Sequence, residues 1–327
     1  MTKPIFSIII PCYNAITHLE KCINSIKCQT LDSKLYEIIF INDYSNDGTL
    51  DYLRLKSQEL KSDVSIINNS TNYGPGISRR KGAEIARGEY LCFCDSDDWL
   101  SEYALENISC EISQSHAEIV IFDMAYYLNG KIIENKFTAH YIYGDKNSYL
   151  INCGESLCNK AIKKTLFLDI NIIDIRHGED LALVPILVLN SVKVTHINST
   201  LYYYYMRRNS ASLGNFELDT YKEMILAFKH VKSNVSLKTP FIYNAIEYIG
   251  IKTILYASTL IAIKGGNKNC ILNNIVSNFE NEYKNWEHNF NLSHLGKSKR
   301  VYLWCVYHRI WIIARIYTWF HSFILKF

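Results

Sequence analysis

Short apolar runs, most of them rich in β-branched residues, recur along the first part of the chain, separated by stretches in which apolar residues have helical spacing. The runs predict buried strands at residues 5–10, 36–41, 64–67, 90–94 and 118–123. The stretches between them predict helices at residues 15–28, 50–60, 77–86 and 101–115. This succession of strand, loop and helix predicts an α/β fold with a Rossmann-like, mostly parallel sheet flanked by helices.

The pattern becomes less regular in the middle of the chain. A Tyr-rich stretch at residues 126–150 contains Asn129-Gly130, a pair typical of hairpin turns. A helix is predicted at residues 181–189 and a strand at 192–197. From about residue 215 onward the strand-like runs disappear and helical stretches dominate, with a break at Gly265-Gly266-Asn267. We therefore predict an α/β domain at residues 1–214 and a helical region at residues 215–327.

The C-terminal stretch combines aromatic and basic side chains. At about 100° per residue, Lys297, His308, Arg315 and Lys326 fall on one face, which predicts a single basic amphipathic helix over residues 297–327. Such a helix can lie in the headgroup region of an anionic membrane, but an ordinary helix packed on the rest of the protein explains the pattern equally well. No run of about eighteen uncharged apolar residues occurs, so we predict no transmembrane helix.

Composition places the chain among ordered globular proteins. Of the 327 residues, 48% are hydrophobic and 20% are charged. The net charge of +3 is too small to indicate nucleic acid as a partner. The ten cysteines form no CxxC pair, and the N-terminus lacks the apolar core of a signal peptide. We therefore expect a cytoplasmic protein with free thiols rather than disulfides or zinc.

Carboxylates follow two of the predicted strands at the point where each strand ends. Asp95, Asp97 and Asp98 come directly after the strand at 90–94, and Asp43 follows the strand at 36–41. Open α/β sheets bind ligands at this edge, and crowded carboxylates there favour a shared cation such as Mg²⁺ or Mn²⁺. The alternative is structural, because acidic residues also cap helices and favour helix N-termini.

Five short motifs in a fixed order resemble glycosyltransferase family 2. They are Ser7-Ile-Ile-Ile-Pro11-Cys-Tyr13-Asn14, Ile41-Asn-Asp43-Tyr-Ser-Asn-Asp47-Gly-Thr49, Asn72-x-Gly74 with Arg79 and Gly82, Gly88-Glu-Tyr with Asp95-Ser-Asp97-Asp98-Trp99, and Gly178-Glu179-Asp180. The resemblance covers roughly residues 5–212 and implies a GT-A fold, a nucleotide-binding half at about 1–100 and an acceptor half at about 101–214. Five ordered motifs are far more specific than any one of them.

For the nucleotide, the resemblance implies roles for residues of the first three motifs. The loop with Pro11, Tyr13 and Asn14, together with Asp43, would hold the uracil and ribose of a UDP-sugar. Arg79 would lie near the nucleotide or its phosphates. The chain departs from the family at Asn42, where the second motif usually has another acid. The departure implies nucleotide binding that is weaker or less selective for uracil, while the assignment of Asp43 remains.

For the reaction, the resemblance implies roles for residues of the last two motifs. Asp95 would touch the ribose or the donor sugar, and Asp97 would ligate Mn²⁺ or Mg²⁺ on the diphosphate. Asp98 would support the site or bind donor sugar hydroxyls. Asp180 matches the catalytic base, with Glu179 as its competitor. The structural alternative for both is favourable charge at a helix N-terminus.

Two arginines close to the end of the resemblance are further candidates. Arg207 and Arg208 could contact phosphates of donor or acceptor, since arginine suits bidentate phosphate contacts. A Tyr-rich edge strand with solvated arginines explains the same residues equally well.

The resemblance implies an inverting, metal-dependent hexosyltransferase on the inner face of a bacterial plasma membrane. We expect a UDP-sugar donor and a saccharide acceptor, lipid-linked through undecaprenyl diphosphate, in O-antigen or capsule assembly. A non-catalytic saccharide-binding or scaffold protein with the same fold is the alternative from another class. A nucleotidyltransferase is disfavoured, because Pro11-Cys-Tyr-Asn14 supplies no Gly-rich, Lys-bearing phosphate loop.

Overall fold

A computed structural model describes residues 3–135, 146–152, 154–207, 217–236 and 239–324. The chain divides into two compact units, Met1–Met206 and Arg207–Phe327. The boundary predicted between residues 214 and 215 lies in a range outside the described residues, so it stays a prediction.

The first unit is built on one mixed sheet. Its strands are β1 Phe6–Cys12, β2 Tyr36–Asn42, β3 Asp63–Asn68, β4 Tyr90–Phe93, β5 Trp99–Leu100, β6 Ile119–Leu128, β7 Lys131–Asn135, β8 Lys160–Lys163 and β9 Val194–Tyr205. In the described residues their order is β3-β2-β1-β4-β8-β6-β9-β5, with β7 added beside β6. The predicted α/β class is confirmed. The parallel arrangement holds for β3, β2, β1 and β4, whereas β8 runs antiparallel to both of its neighbours.

Helices cover this sheet. They are α1 Leu19–Lys27, α2 Thr49–Ser57, α3 Pro75–Ile85, α4 Ala104–Ser115, α5 Lys146–Asn152, α6 Lys164–Leu168 and α7 Glu179–Asn190. Helix α3 packs closely on β1 and β2 because Gly82 has no side chain. A Cβ atom there would lie 2.6 Å from Ile9 Cγ2 and 3.0 Å from Ile41 Cδ1. The glycine of the third motif therefore fixes how closely the helix bearing Arg79 approaches the sheet.

The predicted hairpin at Asn129-Gly130 is confirmed between β6 and β7. Both turn residues have positive φ, 50° for Asn129 and 81° for Gly130, as a two-residue type I′ turn requires. Strand β9 is longer than predicted and continues to Tyr205, so the Tyr-rich run pairs with β6 and with the short strand β5.

The second unit is helical. Its helices are α8 Tyr221–Ser233, α9 Pro240–Gly250, α10 Thr259–Lys264, α11 Asn269–Glu280, α12 Lys297–Tyr307 and α13 Trp311–Ile324. A π-helical segment, Ile251–Ser258, joins α9 to α10. The resulting stretch, Pro240–Lys264, is the one helix in the described residues that could cross a membrane by length and composition, and 83% of its most apolar window is buried. Burial of this kind is also what the core helix of a soluble protein shows, so this finding is weak evidence for a membrane span.

The prediction of one helix over residues 297–327 is wrong. Helices α12 and α13 are separated by a turn in which Arg309 has φ of 57°. Tyr302 of α12 packs on Tyr317 of α13 with ring centroids 4.8 Å apart, so the two helices fold back on each other. Arg315 donates to the carbonyl of Asn267 and to Asn269 Oδ1 and thus belongs to an intramolecular contact.

Candidate active site

The loops that carry the first four motifs meet at the carboxyl ends of the parallel strands. Cys12 and Asn42 are paired residues at the ends of β1 and β2, and β4 lies on the other side of β1. The loops after β1 and β2 are tied together, because Asn14 Oδ1 accepts the N–H of Asn46 and Asp47 Oδ2 accepts that of Ile16. Asn14 adopts a left-handed conformation with φ of 47°. The side chain of Tyr13 projects from this linked pair of loops and is exposed, while Pro11 is half-buried.

Asp43 is buried and fixes the turn that precedes α3. Its Oδ1 atom accepts the side-chain amide of Asn69 at 2.8 Å and the N–H of Tyr73 at 2.9 Å. Its Oδ2 atom accepts the N–H of Gly74 at 2.7 Å. Two carboxylate oxygens offer about four acceptor positions, so Asp43 already uses most of them inside the protein. Its predicted role toward uracil and ribose stays a prediction.

Asn42, where the family usually has an acid, is also buried. Its Nδ2 atom donates to Asn68 Oδ1 at 2.7 Å. Among the described residues, its Oδ1 atom has no hydrogen-bond partner. The amide therefore pairs with β3 through its donor side, which a carboxylate at this position could not do.

Arg79 of α3 is the centre of the site. Its guanidinium is buried and contacts three carboxylates: Asp95 at 2.8 Å, Glu179 at 3.1 Å and Asp180 at 3.2 Å. These acids come from the loop after β4 and from the start of α7, so one side chain joins three separate motifs. The three carboxylates together raise the pKa of Arg79 well above its usual value although burial opposes this. The sequence placed Arg79 near the nucleotide or its phosphates and did not foresee its contacts with three acids.

Glu179 and Asp180 form the first turn of α7, after Gly178 in a left-handed conformation with φ of 83°. Asp180 is oriented by Arg79 on one oxygen and by the N–H of Leu157, at 2.9 Å, on the other. Burial raises the pKa of Asp180, while Arg79 and the Leu157 N–H oppose that rise. Burial, followed by the charge of Asp180, raises the pKa of Glu179 to about 7. The two predicted base candidates thus lie in one electrostatic unit with Arg79.

Asp98 lies beneath the loop after β4 and is fully buried. Tyr202 of β9 donates its hydroxyl to Asp98 Oδ2 at 2.5 Å and accepts the N–H of Asp95 at 3.2 Å. The N–H of Tyr205 donates to Asp98 Oδ1 at 2.7 Å. Burial, then Asp95 and Asp97, raise the pKa of Asp98. This position fits the predicted supporting role of Asp98 better than contact with sugar hydroxyls. The sequence assigned no role to Tyr202 itself.

Asp97 is half-buried and lines a cleft of about 510 Å³ at this edge of the sheet. In the described part of the chain no group of three or more His, Cys, Asp or Glu side chains could hold a metal by itself. A carboxylate next to other acids fits the way in which Mg²⁺ and Mn²⁺ bind through one or two carboxylates and substrate phosphates. The residues present therefore fit a metal held jointly by Asp97 and a donor diphosphate.

The remaining predicted residues are less informative. Arg207 is the first residue of the second unit, and Arg208 lies outside the described residues. Their predicted phosphate contacts stay predictions.

Comparison with known proteins agrees with the family resemblance seen in the sequence motifs. The sequence model described as glycosyl transferase family 2 matches residues 7–170, which is half of the chain. The chain belongs to glycosyl transferase family 2. It is 38% identical over 99 residues to the poly(ribitol-phosphate) beta-glucosyltransferase of Bacillus spizizenii, which covers 30% of this chain and 16% of that protein. It is 24% identical over 216 residues to the poly(ribitol-phosphate) beta-N-acetylglucosaminyltransferase TarS of Staphylococcus aureus, which covers 64% of this chain and 37% of that protein. The chain therefore spans well under half the length of these two relatives.

Solved structures confirm the expected GT-A fold. The crystal structure of S. aureus TarS 1–349 in complex with UDP has a TM-score of 0.71 and 19% identity, covering 96% of this chain and 90% of that chain. The same fragment in complex with UDP-GlcNAc has a TM-score of 0.70.

Proposed function

We propose that this chain is an inverting, metal-dependent glycosyltransferase that moves a sugar from a UDP-sugar to a saccharide acceptor. The observation that carries the proposal is the position of Arg79 between Asp95 and Asp180. One guanidinium contacts the acid predicted to bind the donor and the acid predicted to activate the acceptor. The relatives named above and the TarS complexes with UDP and UDP-GlcNAc support the choice of donor.

In the proposed reaction Asp180 acts as the general base. It takes the proton from the acceptor hydroxyl as that oxygen attacks the anomeric carbon, and the bond from that carbon to the diphosphate breaks with its electron pair going to UDP. One displacement inverts the configuration. The hydrogen bonds from Arg79 and Leu157 hold the Asp180 carboxylate in position and favour its ionised form.

Glu179 is ranked second as the base. Burial and the charge of Asp180 raise its pKa to about 7, so part of it is protonated at neutral pH. Arg79 donates to Glu179, so gain or loss of a proton at Glu179 changes the net charge around Arg79, Asp95 and Asp180.

Asp97 would hold Mn²⁺ or Mg²⁺ together with the donor diphosphate. When bound, such an ion stabilises the negative charge that develops on UDP. Burial, followed by the charges of Asp95 and Asp97, raises the pKa of Asp98, and a cation would relieve the part that the two charges contribute.

For the acceptor we propose a saccharide linked to undecaprenyl diphosphate, used in O-antigen or capsule assembly at the inner face of the plasma membrane. An enzyme that meets a lipid-linked acceptor must work at a membrane surface. Relatives named for poly(ribitol-phosphate) make a phosphate-rich polymer the alternative acceptor.

The thermal stability of the purified protein tests the donor assignment. Ligands that bind only the folded state raise the melting temperature. We expect UDP with Mn²⁺ to raise it, with smaller effects from GDP and from UDP in EDTA, and we expect Asp97→Ala to lose the metal-dependent part. Mixing UDP-sugars with lipid-diphosphate saccharides then tests transfer. A chain that binds saccharides but no nucleotide would be the non-catalytic alternative.

A further inference from the structure

Helix α13 exposes an apolar face to solvent. The C-terminal apolar ridge consists of Ile312, Ile313, Ile316, Trp319 and Phe320, with exposed fractions of 75%, 45%, 51%, 63% and 53%. Their spacing of one, four, seven and eight residues places them along one side of the helix. The opposite side packs into the unit, since Trp311 and Ala314 are buried there. Contiguous apolar side chains that stay exposed on a protein surface mark interaction sites, so the ridge indicates one.

Helix α12 adds to this surface. Val301 and Trp304 are both more than half exposed. The rings of Tyr302 and Tyr317, each near the middle of its helix, are in contact, and the turn between Tyr307 and Trp311 is short. The two helices are therefore antiparallel, with the beginning of α12 toward the end of α13. The exposed cations Lys297, Lys299 and Arg300 at the start of α12 therefore lie at the same end of the helix pair as the aromatic part of the ridge.

The charge of this segment is strongly one-sided. Residues 297–327 contain six Lys or Arg and no Asp or Glu, whereas the whole chain has a net charge of only +3. Arg309 pairs with Glu280, but within the described residues Lys297, Lys299 and Arg300 make no ion pair. A surface of this kind lacks the negative groups that a second copy of the same surface would need in order to neutralise it.

We propose that the C-terminal apolar ridge docks on an anionic lipid bilayer, with its isoleucines in the acyl boundary and Trp319 in the headgroup region. Tryptophan is enriched at membrane interfaces, and lysine and arginine beside an apolar helix face add attraction to anionic lipids. The contact is made by apolar insertion of α13, assisted by the cations of α12, and not by the basic face that the sequence predicted. This docking surface is separate from the transfer reaction and from its donor.

Flotation with phospholipid vesicles tests the proposal without any need for activity. We expect the wild-type chain to float with vesicles that contain phosphatidylglycerol, less with phosphatidylcholine alone, and less at high salt. Ile312→Glu with Ile316→Glu should weaken binding by about 100-fold, and Lys299→Gln with Arg300→Gln by about 30-fold. The control is Val192→Glu, because Val192 is 85% exposed in the first unit. It should bind like the wild type.

Brominated lipids provide a readout that does not depend on how the charge variants fold. They should quench part of the tryptophan fluorescence of the wild-type chain, and Trp319→Phe should remove a share of that quenching. The proposal is overturned if the wild type ignores anionic vesicles or if the double Glu variant still floats. It is also overturned if light scattering shows a dimer that the double Glu variant dissociates, since a second copy would then cover the ridge.

Discussion

The guanidinium of Arg79 lies 3.2 Å from the carboxylate of Asp180, although the two residues are 101 positions apart in the sequence. The same guanidinium holds Asp95 at 2.8 Å. A buried cation that serves several carboxylates decides both their geometry and their protonation, because each acid would otherwise be buried with like charges around it. The arginine thus links the donor side of the site to the base.

Removal of this cation should change both stability and pH dependence. Arg79 lowers the pKa of Glu179 and of Asp180 in the folded chain, so Arg79→Gln raises both. We expect kcat to fall at pH 7, the acidic limb of its pH profile to move to higher pH, and the free energy of unfolding to fall by about 3–5 kcal/mol. Transfer assays from about pH 5 to about pH 9 measure the shift of the pH profile, and urea unfolding measures the loss of stability.

Arg54→Gln is the matched control for Arg79→Gln. Arg54 pairs with Asp51 on the surface of α2, and both side chains are mostly exposed. Its loss should change the free energy of unfolding by less than about 1 kcal/mol and leave the pH profile alone. An Arg79→Gln profile that coincides with the wild type would show that the cluster does not control the base.

Asp180 and Glu179 can be separated by isosteric amides. Asp180→Asn removes the proton acceptor and should lower kcat by about 10²–10⁴-fold, while the melting-temperature shift with UDP stays the same. Glu179→Gln should have a much smaller effect on kcat, because Asp180 keeps its bonds to Arg79 and Leu157. The reverse order of the two effects would make Glu179 the base.

Glu179 should also leave a mark on stability as a function of pH. Its pKa is about 7 in the folded chain against 4.5 as the reference value, so between these values the folded state binds more protons than the unfolded state. The stabilisation by protonated Glu179 is complete below pH 4.5 and is lost as the pH rises through about 7, a change of about 3 kcal/mol. Glu179→Gln should remove that loss.

Urea unfolding of wild type and Glu179→Gln at about pH 4 and about pH 8, outside the window between 4.5 and about 7, measures this difference. The control is Glu84→Gln, because Glu84 is an exposed carboxylate paired with Arg80 on α3. It should follow the wild-type change. If the free energy of unfolding changed equally between the two pH values in the wild type and in Glu179→Gln, a raised pKa at Glu179 would be contradicted.

The sequence predicted the elements that local pattern controls. Short, mostly apolar runs identified β1 to β4, and the rule that parallel strands share one ligand-binding edge brought Asp43 and Asp95 together. Asn129-Gly130 predicted its hairpin for a local reason as well, since both residues tolerate positive φ.

The local sequence pattern did not predict which distant strands pair in the second half of the sheet. The contact of Tyr202 with Asp98 depends on the order of β8, β6, β9 and β5 in the second half of the sheet, and no spacing rule supplies that order. The division of the C-terminal stretch into α12 and α13 was missed for another reason. Its turn has a non-glycine residue, Arg309, in a left-handed conformation, and no Gly or Pro marks the break.

Tyr202→Phe tests whether the buried hydroxyl positions the acidic loop. The change removes the O–H that donates to Asp98 and accepts the N–H of Asp95, and it leaves a buried carboxylate oxygen without that donor. We expect a loss of about 1–3 kcal/mol in the free energy of unfolding, because a buried polar group left unsatisfied costs its desolvation. The loop between Asp95 and Asp98 also loses an anchor, so KM for the UDP-sugar should rise more than kcat falls.

Tyr203→Phe is the matched control, since it deletes the same atom from the next residue of β9. The Tyr203 ring stacks on Trp99 with centroids 5.5 Å apart, and the substitution keeps that contact. Among the described residues no hydrogen bond of the Tyr203 hydroxyl is found, so stability and KM should stay close to wild type. If both Phe variants behaved alike, the hydroxyl of Tyr202 would have no special role in holding the loop. A defect confined to Tyr202→Phe, with KM for the donor raised, would assign the positioning of Asp95 and Asp98 to strand β9.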